Sequence, residues 1–287
     1  MKKRIKQLVN NYNNTKISYS IKMPYFRGIF ISFRRVKQKV KNFRYKLAKE
    51  KGFYKKYINV RHQSVLKRKL WDVDMSLQEN KIVNVNLAIE KLDWIIIKPW
   101  EVFSFWELVW KPTYNKWYLD WIVINHWWVS KWVGWGLCQL SNLLYWMFLH
   151  LDIEIIERHR HSYDIFPDSG RVLPFASWAT VFYNYVDLKI RNTLSYSIQI
   201  KLWTNDKYLK WQILSDFTKK EKYHVYEKYH TFIKNNNKYF RYNLINREKI
   251  INWKKVFDEN ILENFSPVKY EVNENKLREF WYTILEI

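Results

Sequence analysis

Tryptophan occupies positions in the middle of this chain where turns normally require glycine. The 287 residues include 17 Trp and only 5 Gly, although average usage would give about 20 Gly. Tryptophan directly follows Asp93, Pro99, Asp120 and His126, and it recurs between apolar runs as Trp178 and Trp211. Glycine at such places would complete common turn signals, because glycine adopts positive φ without steric cost.

We therefore hypothesise that many of these codons are UGA, a stop codon in the standard code that some lineages read as tryptophan and others as glycine. The alternative is a tryptophan-rich protein whose indoles stack on sugars or bases. Stacking platforms are spaced along grooves and are not confined to turns, so recoding explains the positions better.

Charge is the second unusual property of the chain. Fifty Lys and Arg against 27 Asp and Glu give a formal net charge of +23, which favours polyanions such as nucleic acid, anionic lipid or anionic wall polymers. Lys, Asn, Ile and Tyr are abundant together, as in proteins of AT-rich genomes. No familiar nucleic-acid-binding motif accompanies the charge, so nucleic acid is an unlikely partner.

Cysteine usage and hydropathy limit the class of protein. Cys138 is the sole cysteine, which excludes an intramolecular disulfide framework and a cysteine-based zinc cluster. Residues 1–14 are basic and lack the apolar stretch of a signal peptide. No run approaches the roughly 18 apolar residues of a membrane span. We expect no transmembrane segment, a cytoplasmic location and no cofactor.

The periodicity of apolar residues predicts an α+β fold. Residues 1–60 read as a basic, helical N-terminal extension, and residues 77–92 and 137–151 have helical spacing. Residues 118–124 and 129–133 favour a hairpin, and residues 153–163 favour a strand. Residues 179–190 and 198–203 read as a long hairpin, with Asn192 near its turn. The segment 216–287 has weak periodicity and is assigned only loosely.

Cys138 is the leading candidate for a chemical role. It starts the predicted helix, after a loop containing Gly134 and Gly136, and we expect this helix to pack on an antiparallel sheet. A helix N-terminus stabilises negative charge, so the pKa of the thiol should fall, as a nucleophile requires. Strand alternation in 157–162 would place Glu157, His159 and His161 on one face.

Either histidine could act as the general base, with Asp164, Asp168 or Asp187 as its orienting group. The order of cysteine on a helix and then histidine on a strand is analogous to papain-like hydrolases. Two alternatives stay open: an inert buried thiol, or a metal site made of His159, His161 and a carboxylate. Of the possible sites, we predict one without a metal ion.

Longer motifs resemble the VanW family, which is named from an accessory protein of B-type vancomycin-resistance clusters. The similar segments are 98–106 (KPWEVFSFW), 111–114 (KPTY), 134–145 (GWGLCQLSNLLY) and 157–162 (ERHRHS), with His62-Gln63-Ser64, Arg68-Lys69-Leu70, Tyr183-Asn184-Tyr185 and Asp187. The resemblance covers about residues 60–215 and defines a domain at 61–215. It implies a role in cell-wall metabolism and glycopeptide resistance, without assigning a reaction.

The resemblance also indicates which tryptophans are unusual. Family members typically carry glycine at the positions of Trp100, Trp110, Trp117, Trp121, Trp132, Trp135, Trp178 and Trp211. Trp106, Trp146 and Trp203 look like true tryptophans. This pattern supports the recoding hypothesis.

Two functions remain in competition. In the first, Cys138 is the nucleophile, His161 or His159 the base, Asp164 the orienting group and Gln139 an oxyanion donor, acting on an amide or ester of a wall precursor. In the second, the chain is a non-catalytic module that binds anionic wall material. Its predicted contacts are Arg158, Arg160, Arg171 and Ser141.

Overall fold

Antiparallel sheets and separate helices make up the chain, so the predicted α+β class is confirmed. The structure is a computed structural model that describes residues 1–14, 27–53, 56–67, 75–125, 128–134, 136–161, 163–164, 167, 173–183 and 185–287. The chain divides into two units. We call Arg34–His159 with Trp178–Lys220 the central unit, and Met1–Phe33, Arg160–Ser177 and Glu221–Ile287 the terminal unit.

The helices and strands are, in chain order, α1 (Lys2–Asn13), α2 (Arg27–Asn42), β1 (Tyr57–Val65), α3 (Met75–Leu92), β2 (Ile96–Ile97), β3 (Val102–Ser104), α4 (Phe105–Val109), β4 (Asp120–Asn125), β5 (Trp128–Val133), α5 (Cys138–Phe148), β6 (Glu154–Glu157), β7 (Lys189–Arg191), β8 (Ile198–Thr204), β9 (Tyr208–Ser215), β10 (Glu221–Asn235), β11 (Lys238–Ile251), β12 (Lys254–Pro267), α6 (Glu274–Glu279) and β13 (Thr283–Glu286). A short 3₁₀ turn covers Tyr114–Lys116.

A four-stranded sheet in the order β1-β9-β8-β2 forms the centre of the central unit. The neighbouring strands are antiparallel. Helix α3 buries Val85, Ala88 and Leu92 completely at the spacing that the sequence predicted, and α5 packs against β1. The prediction of a Cys138 helix on an antiparallel sheet is therefore confirmed.

Two smaller sheets complete the central unit. Strands β4 and β5 form the predicted hairpin, whereas β3, β7 and β6 form a three-stranded sheet. The predicted long hairpin of residues 179–190 and 198–203 is wrong, because β7 pairs with β3 and β6 while β8 pairs with β9 and β2. The predicted strand 153–163 shortens to β6.

The terminal unit contains the longest strands of the chain. Strands β10, β11 and β12 form an antiparallel meander, and β13 adds to β10 in parallel. Helix α1 packs on this sheet through Ile5 and Val9, which share a buried cluster with Phe240 and Phe265. The basic N-terminal segment thus contains two helices, α1 and α2, in agreement with the predicted helical extension, but α1 contributes to a hydrophobic core. Within the described residues, no helix is long and apolar enough to cross a membrane.

Candidate functional site

The loop before Cys138 depends on two glycines. Gly134 and Gly136 have φ values of +71° and +94°, a region that other residues adopt only with strain. A Cβ atom on Gly134 would overlap the side chain of Pro112, and one on Gly136 would crowd Lys81. Glycine therefore lets the 111–112 segment approach the start of α5.

The Cys138 thiol is held by neutral groups. Its Sγ atom lies 3.3 Å from Thr180 Oγ1 and 3.7 Å from the carbonyl oxygen of Val181. Burial raises the pKa of the thiol, and the weaker hydrogen-bonding effects, which lower it, do not reverse the shift. The prediction that the helix start lowers this pKa is wrong. The thiol is protonated at neutral pH and is a weak nucleophile.

The helix start has few free donors. The amides of Gln139 and Leu140 donate to the carbonyl oxygens of Gly136 and Leu137 at 3.1 and 3.0 Å. Amides in the first helical turn usually lack backbone partners and can meet an anion. Here a tight turn satisfies two of them, so their contribution to stabilising a thiolate is reduced.

A cavity of about 230 Å³ opens beside Cys138. Its described lining residues are Arg35, Trp106, Lys111, Pro112, Trp132, Val133, Gly134, Gly136, Leu137, Cys138, Val181, Phe182 and Tyr183. This set contains two cationic side chains and several aromatic rings, and no acidic side chain. The cavity is therefore suited to an anionic group attached to an apolar or sugar-like body.

Arg35 is the most informative residue of this cavity. Its guanidinium carbon lies 5.9 Å from the ring centroid of Tyr183. Its Nε atom is buried and makes no hydrogen bond to any residue that the structure describes. A buried donor without an acceptor is costly, and a bound anion would remove that cost. The sequence analysis did not single out Arg35, which is one of many basic residues in the segment 1–60.

The predicted histidine bases have different surroundings. The backbone of His159 accepts a 2.8 Å hydrogen bond from the Thr180 amide, but its ring Nε2 lies 3.3 Å from Glu157 Oε1. Among described residues, Sγ of Cys138 has Thr180 and Val181 as hydrogen-bond partners and no histidine. His161 belongs to the terminal unit, and its role as a base stays a prediction.

The predicted orienting groups are held by other partners. Asp164, in the terminal unit, accepts from Arg241 at 3.2 Å and from the Tyr270 hydroxyl at 3.1 Å. Asp187 accepts from the Ser104 hydroxyl at 2.6 Å. Asp168 lies outside the described residues. The geometry thus gives Asp164 and Asp187 structural partners.

The remaining predicted site residues are mostly engaged in the fold. Ser141 is fully buried and donates to the Ala179 carbonyl oxygen at 2.7 Å, so it offers no surface to a ligand. The side-chain amide of Gln139 donates to the Val65 carbonyl oxygen at 2.7 Å. The group that was predicted as an oxyanion donor is therefore already engaged in a hydrogen bond.

The three predicted arginine contacts differ in placement. Arg158 donates to the Trp178 carbonyl oxygen at 2.9 Å, and its guanidinium lies over the Tyr145 ring. Arg160, in the terminal unit, reaches Ser266 Oγ at 3.5 Å. Arg171 lies outside the described residues. Contact of these arginines with wall material stays a prediction.

Glu157 is the centre of a second polar cluster. It accepts from Gln38 at 2.8 Å and from the fully buried Lys189 at 3.0 Å, in addition to His159. Burial opposes its ionisation, but the hydrogen bonds and the Lys189 charge prevail and lower the pKa of Glu157 to about 2. Glu157 is therefore an anion committed to neighbouring donors. No group of three His, Cys, Asp or Glu among the described residues could hold a metal ion.

The comparisons with known proteins agree with the sequence motifs. Residues 80–214 match the family model described as VanW like protein, which supports the predicted resemblance over this region. Over 143 residues the chain is 36% identical to the vancomycin B-type resistance protein VanW of Enterococcus faecalis (strain ATCC 700802 / V583), covering 50% of this chain and 52% of that protein.

A second relative is more distant. The uncharacterized protein YoaR of Bacillus subtilis (strain 168) is 27% identical over 126 residues, which cover 44% of this chain and 40% of that protein. The chain thus spans about half the length of the first relative and less of the second. No solved structure matches the chain.

Proposed function

We propose that this chain is a VanW-like accessory protein of glycopeptide resistance or cell-wall metabolism, and that it binds anionic wall material in the cavity beside Cys138. The observation that carries the proposal is the pairing of Arg35 and Lys111 in a cavity with aromatic walls. The similarity to a protein named for vancomycin resistance supports the wall context.

Binding has better support than nucleophilic catalysis. A cysteine nucleophile needs a thiolate, or a base within hydrogen-bonding distance. Burial raises the pKa of Cys138, and its hydrogen-bond partners among the described residues are Thr180 and Val181. In contrast, guanidinium and ammonium groups bind phosphate and carboxylate directly. The cytoplasmic location stays a prediction.

The binding proposal is testable by calorimetry with a soluble muramyl-pentapeptide precursor that carries a diphosphate. We expect Arg35→Gln and Lys111→Gln each to weaken binding by about tenfold, the value of one lost charge-assisted hydrogen bond. The wild-type affinity should also fall as salt concentration rises.

Lys207→Gln is the matched control. Lys207 is exposed on the turn between β8 and β9, in the same unit, and the substitution removes the same formal charge. An equal loss of affinity in Lys207→Gln would assign the binding to the diffuse positive charge and not to the cavity. Unchanged affinity in Arg35→Gln would contradict the proposed site.

We also propose that several tryptophans are glycine in the native protein. Six tryptophans adopt left-handed backbone conformations with φ between 61° and 66°: Trp94, Trp100, Trp110, Trp117, Trp253 and Trp281. Three of these, Trp100, Trp110 and Trp117, stand where the family typically has glycine. Left-handed backbone costs an L-residue about 1–2 kcal/mol, so the geometry supports glycine there.

Other tryptophans behave differently. Trp106 is buried and its Nε1 donates to the Val186 carbonyl oxygen at 2.9 Å, as a true tryptophan would. Trp121 and Trp211 are buried strand residues, so for them the proposal depends on the family pattern alone. Peptide mapping of the protein isolated from its native cells tests each position. Glycine at positions 100, 110 and 117 is the expected result, and tryptophan at all three would refute recoding.

A further inference from the structure

Helix α2 carries an outward-facing row of apolar side chains, which we call the apolar stripe. Its members are Val36, Val40 and the adjoining Phe43. They recur at alternating steps of four and three residues, which places them on one face of a helix. Their exposed fractions run from 55% to 90%, so this face is not covered by the chain's own described residues.

The opposite face of α2 is polar and anchors the helix. Gln38 donates to both carboxylate oxygens of Glu157 at 2.8 Å, and Asn42 donates to Glu107 Oε1 at 2.6 Å. A surface helix of a globular protein normally turns its apolar face toward the core. In α2 this arrangement is reversed, so the apolar stripe has no role in the packing of the described chain.

The charge around the apolar stripe selects its partner. Helix α2 has the sequence RGIFISFRRVKQKVKN. Five cationic residues lie between Arg34 and Lys41 inclusive, and the helix contains no Asp or Glu. At 100° per residue, Lys37 and Lys39 fall on opposite flanks of the stripe, and both are exposed. A second copy of this chain would bring like charges together, whereas an anionic surface would attract them.

We propose that the apolar stripe inserts into the interfacial region of an anionic lipid bilayer, with α2 lying in the plane of the surface. Phenylalanine and aliphatic side chains enter the boundary between headgroups and acyl chains, and flanking lysines remain at the anionic headgroups. This mode requires no membrane-spanning helix. No residue of the apolar stripe lines the cavity, and the stripe contains no tryptophan.

Co-sedimentation with lipid vesicles tests the proposal on the full chain. We expect binding to vesicles containing about one third phosphatidylglycerol, and little binding to pure phosphatidylcholine vesicles. The double variant Val36→Gln and Val40→Gln keeps every charge and uses a good helix former. Its apparent affinity for the anionic vesicles should fall at least about tenfold, because two valines lose their burial in lipid.

Val83→Gln is the matched control, since Val83 is a partly exposed valine in helix α3. It should bind anionic vesicles like the wild type, and far-UV circular dichroism should show all variants folded. Equal binding by the double variant and the wild type would overturn the proposal, as would failure of the wild type to bind. Concentration-dependent self-association that the double variant abolishes, without vesicle binding, would assign the stripe to a second copy instead.

Discussion

The Sγ atom of Cys138 lies 3.3 Å from the hydroxyl oxygen of Thr180. The same threonine pairs through its backbone with His159, whose ring instead meets Glu157. The thiol therefore lies beside a neutral hydroxyl, whereas the ring of the nearby histidine lies beside a carboxylate. This division separates the cavity beside Cys138 from the charged cluster around Glu157.

Thiol reactivity is the first prediction. Because burial raises the pKa of Cys138, iodoacetamide should alkylate the folded chain at pH 7 more slowly than it alkylates a free cysteine. The rate should still be rising at pH 9.0, the ordinary pKa of this group, and should level off only at higher pH. Rapid alkylation at pH 7 with an inflection below that value would restore the nucleophile hypothesis.

The pH dependence of stability is the second prediction. The pKa of Glu157 is lowered from 4.5 to about 2 in the folded state. Its contribution is therefore present above about pH 4.5 and lost as the pH falls toward 2. Glu157→Gln should lower the free energy of unfolding at pH 7 by about 3 kcal/mol, because Lys189 is left buried without its closest anion.

Urea unfolding between pH 2 and pH 7 measures this contribution. Glu154→Gln is the control, since Glu154 lies on the same strand and forms an exposed pair with Arg191. It should change stability by less than about 1 kcal/mol. A wild-type curve that is flat between pH 4.5 and 2, or equal effects of both substitutions, would contradict the assignment.

Backbone strain at tryptophan gives the third prediction. Trp117 is 79% exposed and has a φ of 66°, so Trp117→Gly should raise the free energy of unfolding by about 1 kcal/mol. Trp106→Gly should lower it by about 3 kcal/mol, because it empties a buried site. Destabilisation by Trp117→Gly would count against recoding at that position.

The loop before Cys138 gives the fourth prediction. Gly134→Ala should destabilise the chain by about 2 kcal/mol, since the added methyl overlaps Pro112 and φ is +71°. Gly28→Ala should be neutral or stabilising by about 0.5 kcal/mol, because Gly28 lies in α2 with open space around it. Thermal unfolding distinguishes the two, and similar effects of both changes would refute the close approach of the Pro112 segment.

The sequence predicted the elements that have clear periodicity. Helices α3 and α5 and the β4–β5 hairpin lie where apolar spacing placed them. The strands of the terminal unit were not predicted, because they bury polar residues such as Asn243 and Asn264, which hydrogen-bond to each other. Such pairing interrupts the alternation of apolar and polar residues on which strand prediction depends.

The candidate site was predicted only in part. Gly134, Gly136 and Cys138 were recognised from the sequence, because glycine and a lone cysteine are conspicuous before a helix. Arg35 lies about a hundred residues earlier in a basic series, and no local pattern distinguishes it from its neighbours. The raised pKa of Cys138 depends on burial of the thiol in the folded chain, which no local sequence pattern shows.

Protection of Cys138 from alkylation by a bound wall precursor is the most direct test of the account. The chain has one cysteine, and that cysteine lines the cavity, so the modification rate reports on this cavity alone. At a concentration of about the wild-type Kd, a muramyl-pentapeptide precursor should slow alkylation at pH 9 about twofold in the wild type and in Lys207→Gln, and should have little effect in Arg35→Gln, whose expected affinity is about tenfold weaker. An unchanged alkylation rate in the wild type, with the precursor bound by calorimetry, would contradict the proposed site.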